Sequence, residues 1–111
     1  MAPLTMQTTA SDERVVVALS GELDLHGATL LDPELARIAE DPGASPVVLD
    51  LRELEFMDSS GLRSVMVADA TLRRTGRRMV LVRGGDSVQR VFEVTRMEDR
   101  LQFVDDPSDL P

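Results

Sequence analysis

Two adjacent serines, Ser59 and Ser60, lie between Asp58 and Gly61 and are the strongest candidates for a functional site in this sequence. An apolar, strand-like run precedes them and a run with helical spacing follows, so the serines are expected at the start of a helix. Free backbone N–H groups and the helix dipole favour negative charge there and would tolerate a phosphate. The pattern therefore indicates a switch that works by modification of a serine.

The same residues have a purely structural interpretation as a helix N-cap, because Ser and Asp side chains accept hydrogen bonds from the first backbone N–H groups. If Asp58 or Ser59 is the cap, Ser60 falls in the first turn and its hydroxyl can remain exposed. A phosphate there would leave the fold intact but would weaken the binding of a partner, because burial of an unpaired charge at a packed surface costs free energy. These residues alone leave the switch a hypothesis beside the cap.

Serine hydrolysis is a competing chemistry for the same position. A serine nucleophile needs a base and an oxyanion site, and Asp24, His26 and Ser60 are the candidates for such a triad. The nucleophile-elbow pattern G-x-S-x-G is absent, because Asp58 occupies the position of its first glycine. We therefore expect no catalytic residues and a protein that is not an enzyme.

Metal and cofactor sites are also not expected. The sequence contains one histidine and no cysteine, and the spacing of its carboxylates matches no calcium-binding loop. Gly84 and Gly85 lie between a predicted strand and a predicted helix, where they suit a turn, but no lysine follows to complete a phosphate-binding loop. The sequence predicts neither a metal nor a cofactor.

Composition limits the partners and the compartment. The 111 residues carry a net charge of −8, which argues against nucleic-acid binding, and aromatic residues make up only 3%. The longest apolar run, Val15–Leu19, is too short to cross a membrane, and residues 1–11 lack the features of a signal peptide. We expect one cytoplasmic domain over residues 1–111, with residues 1–3 and 106–111 frayed.

Apolar periodicity and turn residues predict alternating strands and helices. The predicted strands cover residues 4–8, 14–19, 47–51, 79–82 and 101–104. The predicted helices cover residues 32–40, 62–75 and 86–92. The first two strands should form an antiparallel hairpin, and the later strands should be joined by parallel crossovers. The predicted fold class is α/β, with a mixed, mainly parallel sheet on which the helices pack.

Two helix starts carry strong local signals. Asp32 followed by Pro33 has the form of an N-cap and first helical position. Residues 28–31 are compatible with an earlier helical turn that Pro33 would bend, and the pattern leaves both alternatives open. Asp86 and Gln89 have the spacing of a capping box at the start of the last helix.

Four segments, in this order and spacing, closely resemble the STAS-domain anti-sigma factor antagonists of the SpoIIAA and RsbV type. These segments are Gly21–Asp24, Val48–Leu51, Phe56–Leu62 and Val88–Phe92. The resemblance covers nearly the whole chain, from the first strand to about residue 105, and implies a single STAS domain.

The resemblance implies a partner-switching cycle. The unmodified antagonist binds an anti-sigma factor that is also a serine kinase, and this frees the sigma factor. The kinase phosphorylates the antagonist and thereby releases it, and a phosphatase of the PP2C type restores the active form. The implied partners are these two proteins, without nucleic acid and without insertion into a membrane.

The resemblance also assigns roles to single residues. Ser60 matches the phosphorylated serine of the family, Ser59 matches the neighbouring minor alternative, and Asp24 matches an acidic residue near the modified serine. The implied partner-binding residues are Asp24, Asp58, Ser59, Ser60, Gly61, Leu62 and Arg63.

The chain departs from the family pattern at two places. Pro33 falls within the first helix of the family, which is therefore expected to start late or to be kinked, and the prolines at 107 and 111 oppose a full final helix.

The alternative function is that of a STAS structural subunit in a stress-sensing or lipid-transport complex.

Overall fold

The computed structural model describes residues 2–43 and 45–110. The strands in this part of the chain are β1 (Thr5–Ala10), β2 (Val15–Leu23), β3 (Val47–Met57), β4 (Met79–Val82) and β5 (Gln102–Val104). The α-helices are α1 (Leu25–Glu40), α2 (Ser59–Arg74) and α3 (Asp86–Val94). Two short 3-10 helices follow at Met97–Arg100 and Pro107–Asp109.

The strands form one sheet in the order β1-β2-β3-β4-β5. β1 and β2 are an antiparallel hairpin, while the pairs β2–β3, β3–β4 and β4–β5 are parallel. The predicted α/β class and the mixed, mainly parallel sheet are therefore confirmed. The strand predicted at 47–51 is longer than expected, since β3 continues to Met57.

The hydrophobic core lies between the sheet and the three helices. β2 alternates between buried and partly exposed residues, so that Val17 and Leu19 point into this core. Leu72 of α2 and Phe92 of α3 pack into the same core, and both are fully buried. Alternation with a period of two on the strand and apolar spacing on the helices therefore explain why the elements form one layered domain.

The signal at Asp32 and Pro33 does not mark the start of the first helix, and that helix does not start late; of the two alternatives, the structure has the earlier helical turn at residues 28–31. α1 begins at Leu25, and its N-cap is Asp24, whose carboxylate accepts a hydrogen bond from the N–H of Gly27 at 2.8 Å. Pro33 lies inside the helix on an exposed position. Its missing N–H deprives only the carbonyl of Thr29, an exposed residue that water can reach.

The predicted capping box at the last helix is also wrong in detail. The N-cap of α3 is Gly85, and Asp86 is the first helical residue. The side chain of Gln89 instead accepts a hydrogen bond from the N–H of Gly84 at 2.9 Å. Gln89 still satisfies a backbone donor before the helix, but one residue earlier than the capping-box geometry requires.

The two ends of the described chain have local structure. Pro3 forms an isolated parallel bridge with Glu22. At the other end, Pro107–Asp109 is a single 3-10 turn, for which the side chain of Asp106 accepts a hydrogen bond from the N–H of Ser108. No helix among the described residues is long and apolar enough to cross a membrane.

Candidate functional site

The site is built where two neighbouring parallel strands end. Leu23 of β2 is the register partner of Met57 of β3, and each is the last residue of its strand. The next residues, Asp24 and Asp58, therefore start α1 and α2 at the same edge of the sheet. The N–H of Asp58 donates to the carbonyl of Leu23 at 3.3 Å, which ties the two loops together. The structure thus brings the predicted residues Asp24 and Ser60 to one edge.

The two aspartates have the same structural role. Asp58 Oδ1 accepts hydrogen bonds from the N–H groups of Ser60 at 2.9 Å and of Gly61 at 3.1 Å. Asp24 Oδ1 accepts one from the N–H of Gly27 in the same way. A carboxylate is a good N-cap because it is an acceptor and its negative charge lies at the positive end of the helix dipole. Of the two cap candidates in the sequence, Asp58 is therefore the cap, and Ser59 is the first helical residue.

Because the carboxylate of Asp58 caps the helix, the serine hydroxyls are not needed for capping. Ser59 is exposed, and Ser60 is partly exposed in the first turn of α2. The N–H of Ser60 is bound to Asp58, but no side-chain hydrogen bond to another described residue holds its hydroxyl. The hydroxyl of Ser60 can therefore be covalently modified without loss of a capping interaction.

Gly61 lets the start of α2 approach the end of β2 closely. A Cβ atom at position 61 would lie 2.5 Å from the carbonyl oxygen of Leu23 and 2.8 Å from Cγ of Met57. Such separations are far below van der Waals contact, so only glycine fits at this position. Leu62, the next residue, is half-buried and packs against the hydrophobic core. Gly61 and Leu62 thus help to position the start of α2.

A surface groove runs between α1 and α2 and begins at Ser60. At this end, a cavity of about 220 Å³ is lined by Ser60 and Arg63 of α2 and by Leu25, Thr29 and Asp32 of α1, among others. A second cavity of about 250 Å³ continues along the helices and shares Asp32, Ser64 and Val67 with the first. We call the two cavities together the α1–α2 groove.

Apolar side chains line the α1–α2 groove. Leu25 is 69% exposed and Val67 is 54% exposed, although both are large hydrophobic residues. Clustered exposed apolar residues are typical of surfaces that bind another molecule. The sequence pattern does not reveal the α1 wall of this groove, because its strongest helix-start signal, at Asp32, lies seven residues after the first residue of α1. The sequence signal that could have indicated it is Asp24, a residue type that caps helices, followed directly by the apolar Leu25.

The residues considered for a catalytic triad do not form one. His26 is exposed, and its ring has no hydrogen bond to Asp24 or Ser60. The carboxylate of Asp24 is instead bound to the backbone of Gly27. Among the described residues, no group of three or more histidines, aspartates or glutamates is arranged to hold a metal ion.

Comparison with known proteins gives both sequence and fold relatives. The family model described as "Mlab, STAS domain" matches residues 6–105. An anti-sigma-B factor antagonist of Staphylococcus aureus is 27% identical over 96 residues, which cover 86% of this chain and 88% of the relative.

Two solved structures show the same fold. The crystal structure of an anti-sigma factor antagonist from Mycobacterium paratuberculosis has a TM-score of 0.86 at 24% identity. The matched region covers 96% of this chain and 89% of the chain in that structure. The Bacillus cell fate determinant SpoIIAA, in its phosphorylated form, has a TM-score of 0.73 at 22% identity, with coverage of 94% and 95%. With the family model spanning residues 6–105, this chain belongs to the STAS domain family, and its relatives in sequence and fold include anti-sigma factor antagonists.

Proposed function

We propose that this protein is an anti-sigma factor antagonist whose activity is controlled by phosphorylation of Ser60. In its unmodified form it binds an anti-sigma factor that has serine kinase activity, and the sigma factor is thereby freed. Phosphorylation of Ser60 by that kinase releases the antagonist, and a PP2C-type phosphatase reverses the modification. The relatives named as anti-sigma factor antagonists support the class of partner. The observation that carries the proposal is that Ser60 is partly exposed at the end of the α1–α2 groove, and that its hydroxyl makes no hydrogen bond to another described residue.

The geometry supports modification without unfolding. Asp58 accepts its hydrogen bonds from the backbone N–H groups of Ser60 and Gly61, and the hydroxyl of Ser60 takes no part in them, so a phosphate on that hydroxyl need not break them. The phosphate would lie in the first turn of α2, where the helix dipole favours negative charge. The domain should therefore remain folded after phosphorylation, which a reversible switch requires.

The position of Ser60 in the groove supports release of the partner. The partner is expected to cover Leu25 and Val67, since burial of these exposed apolar side chains would stabilise a complex. A phosphate on Ser60 adds about −1.5 to −2 charges beside that apolar surface. Water would be removed from the phosphate on binding, and the cost of this desolvation weakens the complex unless the partner supplies cations. Ser59 is exposed but does not line the cavity, so it remains the minor candidate.

The proposal is tested by incubation of the protein with its cognate anti-sigma kinase and ATP, followed by intact-mass measurement. Wild type and Ser59→Ala are expected to gain the mass of one phosphate, and Ser60→Ala is expected to gain none. Equal phosphorylation of Ser60→Ala and wild type would refute Ser60 as the switch. A PP2C-type phosphatase should remove the added mass.

Binding affinity tests the consequence of the modification. Ser60→Asp should bind the anti-sigma factor at least tenfold more weakly than wild type, while Ser60→Ala should keep its affinity. The alternative function, a STAS structural subunit of a stress-sensing or lipid-transport complex, predicts a different result. In that case the protein should elute in a large assembly on size-exclusion chromatography of a native lysate, and Ser60→Asp should leave this assembly unchanged.

A further inference from the structure

Arg63 is a cation placed one helical turn after Ser60. Both residues lie on α2 and line the same end of the α1–α2 groove. Arg63 is exposed and takes part in none of the ion pairs within the described residues. It is also the only cationic residue that lines this cavity among the described ones. Its guanidinium is therefore available to another anion.

Helix geometry directs Arg63 towards Ser60. Residues three apart on an α-helix have Cβ atoms about 5–6 Å from each other. Side chains on a helix also lean towards its N-terminus, so a long side chain at position 63 covers the turn that contains position 60. The guanidinium presents a planar set of N–H donors that matches two oxygens of a phosphate. Arg63 thus has both the reach and the donor geometry for a phosphate on Ser60.

Three acidic residues lie in the cavity or at the helix starts beside it. Asp58 caps α2, Asp24 caps the neighbouring helix α1, and Asp32 lines the opposite wall of the cavity. Each of these carboxylates would repel a phosphate on Ser60, and the attraction of the helix dipole would offset only part of this repulsion. A nearby cation would add to the attraction of the helix dipole and offset the repulsion from these carboxylates.

We infer that Arg63 is the internal counter-ion of the phosphate in the Ser60-phosphorylated form of this protein. The inference rests on the proposed function and specifies how the modified site is stabilised. Formation of the pair changes the groove in two ways: the phosphate adds negative charge, and Arg63 is no longer available to an acidic group of a partner. Both changes act in the same direction, because they make this end of the groove anionic.

The test uses protein that carries phosphoserine at position 60, incorporated during translation so that no kinase is required. ³¹P NMR then follows the second ionisation of the phosphate as a function of pH. Every sample carries His26→Gln, which removes the one histidine of the chain from the first turn of α1. The variant is Arg63→Gln. The matched control is Arg74→Gln, an exposed arginine near the other end of α2 that donates to Thr71.

The loss of Arg63 should raise the pKa of the phosphate by about half a unit, the size expected for one partly exposed ion pair. Arg74→Gln should change that pKa by less than about 0.1 unit, and Arg63→Lys should restore part of the difference because it keeps the charge without the planar donors. The difference should shrink at 1 M salt.

Equal pKa values for wild type, Arg63→Gln and Arg74→Gln would overturn the inference. That result would leave the proposed function standing, since the phosphoserine is introduced without the kinase. Conversely, a kinase that does not modify Ser60 would refute the proposed function without changing the measured pKa of the introduced phosphate. The two failures are therefore distinguishable.

Discussion

Replacement of Gly61 by alanine should destabilise the domain, because the start of α2 is packed directly on the end of β2. The added Cβ would lie 2.5 Å from the carbonyl oxygen of Leu23, 2.7 Å from its Cγ and 2.8 Å from Cγ of Met57. Leu23 and Met57 are both buried, at 0% and 2% exposure, so neither side chain has free space into which it can move. The first turn of α2 must therefore shift outward.

The size of the effect follows from two opposing contributions. The new methyl group is roughly 1 Å too close to its neighbours, and overpacking of this kind costs about 1–3 kcal/mol, towards the upper end where a backbone carbonyl is involved. Alanine in place of glycine within a helix gains up to about 1 kcal/mol. We expect Gly61→Ala to lower the free energy of unfolding by about 2 kcal/mol.

Urea denaturation measures this difference, with Gly43→Ala as the control. A Cβ at position 43 would meet only Oδ1 of Asp41, at 3.9 Å, so this variant should stay within about 0.5 kcal/mol of wild type. Backbone amide NMR shifts in Gly61→Ala should change most at Ser59 and Ser60. Equal unfolding free energies for the two variants would refute the argument that close packing requires glycine at position 61.

Three further predictions concern stability and use the same urea assay. Asp58→Ala should cost about 1 kcal/mol through loss of the N-cap, while Ser59→Ala should cost less than half of that; equal losses would contradict the assignment of the cap. Arg77→Met should cost about 3 kcal/mol, because Arg77 is only 4% exposed and donates to two backbone carbonyls; a loss below about 1 kcal/mol would contradict this role. The hydrogen-bonded ion pair with Arg52 lowers the pKa of Asp50, so the stabilisation from this pair is present above the ordinary pKa of about 4 and is lost as pH falls through the lower pKa of the folded state. Asp50→Asn should therefore reduce the loss of stability in acid, and an unchanged dependence of the unfolding free energy on pH would contradict this role of the ion pair.

Much of the fold could be predicted because its strands follow local rules. The strand at Met79–Val82 has the predicted bounds, and the hairpin turn and the order of elements are as expected. The start of α1 could not be predicted from local signals. Asp32 and Pro33 form a strong start signal, whereas Gly27 is a poor helix former. Tertiary packing explains that glycine: a Cβ at position 27 would lie 2.8 Å from the carbonyl oxygen of Glu22.

The candidate site divides in the same way. The position of Ser60 at a helix start is a local property and was predicted from its neighbours. The α1–α2 groove depends on which helices are adjacent, and a single sequence does not state this. The same limit applies to Arg77. It lies in a segment rich in arginine, which is typical of an exposed surface, but its side chain is buried and donates hydrogen bonds to the carbonyls of Ile38 and Ser45. A long-range partner, 39 residues away in one case, decides its environment.

The arrangement of Asp58 and Ser60 separates folding from control. In many helices a serine is itself the N-cap, and a phosphate on it would alter the hydrogen bonds that hold the first turn. Here the carboxylate of Asp58 accepts both of those hydrogen bonds, and Gly61 fixes the helix start against β2. The hydroxyl of Ser60 contributes to neither interaction. A change in its charge can therefore act on the surface that faces the groove while the interactions that stabilise the domain stay the same.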